Sequence, residues 1–208
     1  MADSIVLAIN CFVTLFSVLD PFGAAIIFLA LTPGYSDDLR ARQVKRTITA
    51  TTITLATFTV LGGLIFAIFG ISIHALVVAG GLILVQIGFK MLAGELKEYR
   101  STKSEMDEAE LNEDIAIIPM AIPMLAGPAA ITTMMIFASR ATGKLDTVMI
   151  FLALFLALGV TYLILKRGRN IAEWLGETGA RILTRILGLI VLAMGVEFIL
   201  SGVKGYFG

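Results

Sequence analysis

The sequence predicts an all-α membrane protein: six transmembrane helices forming two inverted-topology three-helix repeats, with the first and fourth helices broken near the bilayer midplane. Three observations predict it: a composition too apolar for a soluble core, six apolar runs long enough to span, and a proline-marked break that recurs at one offset. Of the 208 residues 58% are hydrophobic and 15% charged, and the mean hydropathy is +0.93. A soluble domain is about half apolar and about a quarter charged, and a globule of this size cannot hide so much apolar surface in one core. The length suits one compact membrane unit.

A hydrocarbon core of about 30 Å needs roughly 20 apolar residues per helix. The runs that qualify are Ile5 to Leu31, Ile48 to Phe69, Ile73 to Leu92, Ile115 to Phe137, Leu145 to Leu165 and Ile182 to Leu200. They divide the chain into a first transmembrane repeat (1–94), a charged linker rich in Glu, Lys and Ser (95–114), and a second repeat (115–208). The first run lacks a basic leader and a small-residue cleavage site, so it reads as a span and not a cleavable signal peptide.

Positive charge sets the expected orientation. One set of loops carries Arg40, Arg42, Lys45 and Arg46, then Lys90, Lys97, Arg100 and Lys103, then Lys166, Arg167, Arg169, Arg181 and Arg185. The opposite set carries only Arg140, Lys144 and Lys204. Both termini are therefore expected outside and the linker in the cytoplasm.

A shift of 107 positions lays Gly81-Leu82-Ile83 on Gly188-Leu189-Ile190, Gly88 on Gly195 and Pro21 on Pro128. Leucine and isoleucine match by chance in apolar helices. Prolines in spans are rarer, and these share their offset with the glycines. Three spans per half force the second half to enter the membrane from the opposite side, as in many secondary transporters.

In the first span, Ser17-Val18-Leu19-Asp20-Pro21-Phe22-Gly23 combines a proline that deletes a backbone hydrogen bond with a helix-start signal, an N-cap Asp followed by proline at the first helical position. The span is expected as two half-helices. The fourth span repeats the device through Pro123 and Leu125-Ala126-Gly127-Pro128-Ala129-Ala130, with Gly127 as the cap. A half-helix start exposes unpaired N–H groups and a partial positive charge, which lipid does not tolerate. Two such starts brought together form a pocket for a carboxylate, and Asp20 supplies a negative group for an ammonium or a proton. The pair suits a zwitterion, and Gly23, Ala24, Ala129 and Ala130 leave room for a small one.

Other chemistry is poorly supported. Net charge is zero, without the basic excess of a nucleic-acid binder. Cys11 is alone and forms no internal disulfide. With His74 the only histidine, most metal sites and Ser–His schemes fall away. His-Glu-x-x-His, Gly-x-Ser-x-Gly, a dense Asp motif and a phosphate-binding Gly-x-x-x-x-Gly-Lys-Ser/Thr are all missing, which argues against an intramembrane enzyme, a cofactor or an ATP-driven pump.

Asp20-Pro21-Phe22-Gly23, Ala126-Gly127-Pro128, the six-span layout and the charged linker resemble the MarC family over essentially the whole chain. The resemblance implies a bacterial or archaeal plasma membrane and a SnatA-type transporter of small neutral amino acids such as glycine, alanine, serine and threonine. Substrate would sit at the two breaks, against Ser17, Asp20, Pro21, Phe22, Gly23, Gly127, Pro128, Ala129, Ala130, Thr132 and Thr133. Uphill transport by alternating access needs a proton or sodium gradient, for which Asp20 is the nominated coupling group. An exporter of drugs or other metabolites, or a channel, is the alternative on the same frame, and a homo-oligomer is compatible with either.

Bland readings stand beside these. Asp20 is either a functional carboxylate, the default inside a membrane, or only a cap. Asn10, Thr14 and Ser17 either line an access path or join helices. The second-span threonines read mainly as backbone-bonded packing residues. Lys90 and Glu197 occupy matching places, but inversion puts them at opposite ends, where Lys90 snorkels. Gln86 facing the cavity is the minor reading, and His74 is expected to be solvated.

The charge asymmetry gives a direct test. In a Cys11→Ser background, Thr142→Cys is expected to react with a membrane-impermeant maleimide in intact cells. Ser101→Cys should react only after permeabilisation; the reverse pattern would invert the orientation.

Overall fold

Proline, glycine and small polar caps determine where the helices begin and end. The computed structural model describes residues 2–32, 35–68, 70, 72–94 and 116–207; the linker expected over 95–114 lies outside the described residues. In order come α1 (Ala2–Leu19), α2 (Pro21–Leu31), α3 (Asp37–Ile68), α4 (Ile73–Ala93), a wide-turn segment (Ala116–Leu125), α5 (Pro128–Ser139), α6 (Lys144–Lys166) and α7 (Gly168–Phe207). No strand occurs among the described residues. Among the described residues, five spans are long and apolar enough to cross a membrane, the first of them running through α1 and α2, and α5 is a shorter apolar helix.

Local chemistry explains the boundaries. The Ser72 hydroxyl accepts from the Ala75 N–H at 3.1 Å and starts α4. Gly94, at φ 81°, ends it with its N–H on the carbonyls of Lys90 and Met91, the usual left-handed stop. At the start of α6, the Asp146 carboxylate accepts from the N–H and hydroxyl of Thr142 at 2.9 and 2.7 Å. α7 bends at Gly176, whose φ of 62° and ψ of 174° lie in a region open essentially to glycine alone.

The segment before the second break departs from the expected half-helix. Ala116–Leu125 winds in wide turns, interrupted where Ile118 (φ −122°, ψ 123°) and Ile122 (φ −131°, ψ 123°) are extended. Each precedes a proline, Pro119 or Pro123. The proline ring clashes with a helical residue before it and drives that residue into the extended region. Two prolines four residues apart therefore prevent a regular helix, and the half-helix expected here is corrected to an irregular apolar segment.

α1 packs against α6, α5 and α7, while α4 and α7 form the most extensive helix pair. Glycines bring α4 and α7 together. A Cβ on Gly81 would lie 2.6 Å from the Gly195 carbonyl oxygen, one on Gly88 2.7 Å from the Leu192 nitrogen, and one on Gly188 2.5 Å from the Met91 Cβ. Small residues at such spacing let membrane helices approach closely where no hydrophobic force drives them together. The α5 half-helix is gripped similarly: a Cβ on Gly62 of α3 would strike Met135, and one on Gly80 of α4 would strike Thr132 and Ile136. In α3, the hydroxyls of Thr49, Thr51, Thr52 and Thr59 donate to carbonyls four residues back, in line with the packing reading of its threonines.

Gly88→Leu, which places a side chain against the α7 backbone, is expected to abolish the folded form, because overpacking at backbone cannot relax by a rotamer change. Gly159→Leu, where a Cβ meets nothing within 4 Å, is the control and should unfold like the parent. Thermal unfolding in detergent, read by a thiol-reactive dye at the buried Cys11, measures both.

Candidate functional site

The first break is built around Asp20. Pro21 has no N–H, so the Ser17 carbonyl loses its donor four residues on. Asp20 adopts φ 41° and ψ 67°, and no other non-glycine residue among those described has a positive φ. Besides glycine, aspartate and asparagine occasionally adopt this region, where their short polar side chains can hydrogen-bond locally. The Asp20 backbone carbonyl accepts from the Ala24 N–H at 2.9 Å, and its carboxylate accepts from the Gly23 N–H at 3.2 Å. The expected N-cap is thus present. A Cβ at Gly23 would collide with that carboxylate, so glycine is what lets the carboxylate rest on the start of α2.

Asp20 is fully buried, and a distant residue reaches it. The Thr184 hydroxyl, on α7, lies 3.2 Å from each Asp20 carboxylate oxygen. One hydroxyl proton serves one oxygen at a time, so Thr184 straddles the carboxylate. This ties the first break to the last long helix. The sequence reading missed Thr184; its one available signal was a polar residue between Arg181 and Arg185 at the mouth of an apolar run.

The second break differs in its electrostatics. Gly127 caps α5 with extended backbone (φ −78°, ψ 174°) and no side-chain hydrogen bond, with Pro128 at the first helical positions. The Ile131 N–H is held by the Gly127 carbonyl at 3.0 Å, and Pro128 has no N–H. The amides of Ala129 and Ala130 are therefore the helix-start donors that no side chain caps. Both residues are buried, at 3% and 1% exposure. The start of α2 carries its own anion; the start of α5 does not. The two breaks lie on touching elements, since α1 packs on α5 and α2 on the wide-turn segment.

The remaining site residues separate by burial. Ser17 is buried; Pro21 is buried, Phe22 and Gly23 are partly so, and Pro128 is exposed. The Phe22 ring meets Phe16 edge-on at 6.4 Å. Thr132 donates to the Pro128 carbonyl at 2.7 Å, satisfying itself on its own helix. Thr133 is fully buried, and its hydroxyl has no hydrogen-bond partner among the described residues. Thr14 donates to the Asn10 carbonyl at 2.7 Å, while the Asn10 side chain is exposed.

Gln86 and His74 are also exposed. Glu197 acts electrostatically on Arg140, whose guanidinium lies 4.9 Å over the Phe198 ring and 3.4 Å from the Ser201 hydroxyl. Among the described residues no cluster of three His, Cys, Asp or Glu side chains could hold a metal.

Among the described residues, five membrane-length spans, a short apolar helix, and proline-marked breaks with one buried carboxylate define an integral membrane protein of multi-pass helical type. Residues 5–207 match the MarC family integral membrane proteins, and the chain belongs to that family. It is 37% identical to UPF0056 membrane protein MJ1677 of Methanocaldococcus jannaschii, covering 95% of this chain and 96% of that one. It is 37% identical to UPF0056 membrane protein PYRAB13050 of Pyrococcus abyssi over 95% of this chain and 94% of the relative. With UPF0056 membrane protein YhcE of Escherichia coli it shares 33% identity over 94% and 91% of the two chains. No solved structure matches the chain.

Removing the Thr184 hydroxyl should loosen the first break. Thr184→Val is expected to destabilise the protein by about 1 kcal/mol, within the range of interhelical hydrogen bonds in membranes, and Thr184→Ser should restore most of it. Equal stability of the valine variant and the parent would mean that the contact contributes nothing. The Cys11 dye assay measures all three proteins.

Proposed function

We propose that this MarC protein is a secondary transporter of small neutral amino acids, working by alternating access and driven by a proton or sodium gradient. One observation carries the reading: a fully buried carboxylate at one helix break and an uncapped helix start at the other lie on elements that touch. These are opposite charges in the order a zwitterion needs. The amides of Ala129 and Ala130 offer a helix terminus to the substrate carboxylate, and the unpartnered Thr133 hydroxyl adds a donor one turn on. Asp20 offers its carboxylate to the ammonium or to the coupling ion. The small side chains of Ala24, Ala129 and Ala130 at the two breaks suit a substrate with a side chain no larger than that of threonine.

An inverted pair of three-helix repeats, in the plasma membrane with both termini outside, is the frame that we propose for the movement. The glycine contacts support it. Gly81 meets Gly195, and Gly88 meets Gly188. A shift of 107 residues pairs Gly81 with Gly188 and Gly88 with Gly195, so the two contacts exchange under the repeat operation, as self-complementary contacts do across a two-fold axis. Rocking of one repeat against the other would open the breaks to each side in turn.

Uptake of radiolabelled glycine and alanine into proteoliposomes, under imposed proton or sodium gradients, tests the reading. Saturable, gradient-driven uptake is expected. Asp20→Asn keeps a capable N-cap and removes the charge; it should reduce accumulation at least ~10-fold, the factor that about 1.4 kcal/mol represents, with Cys11 still protected. No uptake of glycine, alanine, serine or threonine by folded protein would overturn the proposal in favour of an exporter of other metabolites. Flux that never saturates would favour a channel.

A further inference from the structure

A cavity of about 700 Å³ opens at the end of the bundle away from the α1 N-terminus, between α2, α3, α6 and the start of α7. Three membrane-length spans stop at its walls. Asp3–Leu29 ends there at Leu29, Asp37–Leu64 begins there at Asp37, and Lys144–Lys166 ends there at Lys166. The cavity therefore lies at the depth where hydrocarbon gives way to headgroups. Its lining includes the apolar Phe28, Val44 and Leu163. Its rim carries Arg40, Lys166, Arg167 and Arg169 against Asp37 and Asp38, four cations to two carboxylates.

Arg40 points to the occupant. Its Nη2 donates to the Thr32 carbonyl at 3.0 Å, and its Nη1 lies 3.7 Å from the carboxylate of Asp37, whose side chain is 89% exposed. Its Nε is buried and has no hydrogen-bond partner among the described residues. Thr32 thus takes one donor of the buried edge, and the side chain, 22% exposed, offers the cavity its charge and its remaining Nη hydrogens, which suit a phosphate oxygen. Leu29, Leu163 and Leu165 line the cavity beside these cations, so an occupant that joins an apolar chain to a phosphate meets a matching surface on both parts. Basic pockets between membrane helices on the cytoplasmic side take anionic lipid headgroups, and the end of the bundle holding Arg40, Lys166, Arg167 and Arg169 carries most of the positive charge.

We infer that this cavity is a binding site for an anionic phospholipid, with its phosphate on Arg40 and the α6–α7 turn cations and its acyl chain against Phe28, Val44 and Leu163. The inference is independent of the transport reading: it concerns residues at the membrane surface and stands or falls with lipid binding alone.

Full-length protein in a zwitterionic detergent is titrated with short-chain phosphatidylglycerol, short-chain phosphatidylcholine or inorganic phosphate, and unfolding is followed at Cys11. Phosphatidylglycerol alone should raise the melting temperature saturably, and native mass spectrometry should show it retained. Arg40→Gln and, separately, Arg167→Gln/Arg169→Gln should each weaken that response about tenfold, the size of a lost hydrogen bond to a charged group. The second variant, confined to exposed positions, serves as the test on its own if Arg40→Gln does not fold.

An equal response to phosphatidylcholine would overturn the site, because charge would then play no part. A response to phosphate as large as to phosphatidylglycerol would overturn the lipid as occupant and leave a free anion. An undiminished phosphatidylglycerol response in Arg167→Gln/Arg169→Gln would overturn the assignment of residues.

Discussion

In hydrocarbon, a backbone N–H or C=O that is not bonded inside the protein has no water to turn to. A chain this apolar that nevertheless breaks a helix within its first span, and lacks a regular helix before the Gly127 cap, must therefore cover the polar backbone of both breaks with protein. α1, which leads into the first break, packs against α5, α6 and α7. The short α5, which starts at the second, is held against α3 and α4 by glycines whose missing side chains leave room for Met135, Thr132 and Ile136. The fold buries the two helix starts, at Asp20 and at Ala129 and Ala130, while Ile117, Ile118 and Ile122 of the wide-turn segment keep only their apolar side chains at the surface.

The two breaks solve the same problem in different ways. At Asp20 the chain supplies its own carboxylate, which caps α2 through Gly23 and is straddled by Thr184. At Gly127 no side chain caps α5, and the next polar group along, the Thr133 hydroxyl, is buried without a partner. An intramembrane carboxylate costs on the order of 3 kcal/mol on insertion scales, and an unmet buried hydroxyl about 1–3 kcal/mol. The proposed transport gives both costs a use, because a substrate with one positive and one negative end answers each.

Much of this was legible in the sequence for a physical reason: lipid allows few backbone solutions, so composition and span length dictate helices. Proline has only a few tolerable places in them. The break positions, the Asp20 cap and the Gly127 cap were all readable from local chemistry. The shape of the segment before Gly127 was readable in principle as well. Pro119 and Pro123 restrict Ile118 and Ile122 by a rule that acts between neighbours, and the expected half-helix gave that rule too little weight.

The sequence by itself determined that this is a multi-pass helical membrane protein and where its helices break, because hydropathy, proline and capping act over a few residues. Only the tertiary structure decided which polar groups meet. Thr184 reaches Asp20 across 164 positions. Thr132 bonds its own helix while Thr133, beside it in sequence and equally polar, is left unsatisfied. The cationic cavity assembles Arg40 with Arg167 and Arg169 from elements far apart in the chain. Those pairings depend on which helix faces lie against each other, and that is set by glycine contacts such as Gly81 on Gly195, which no local pattern encodes.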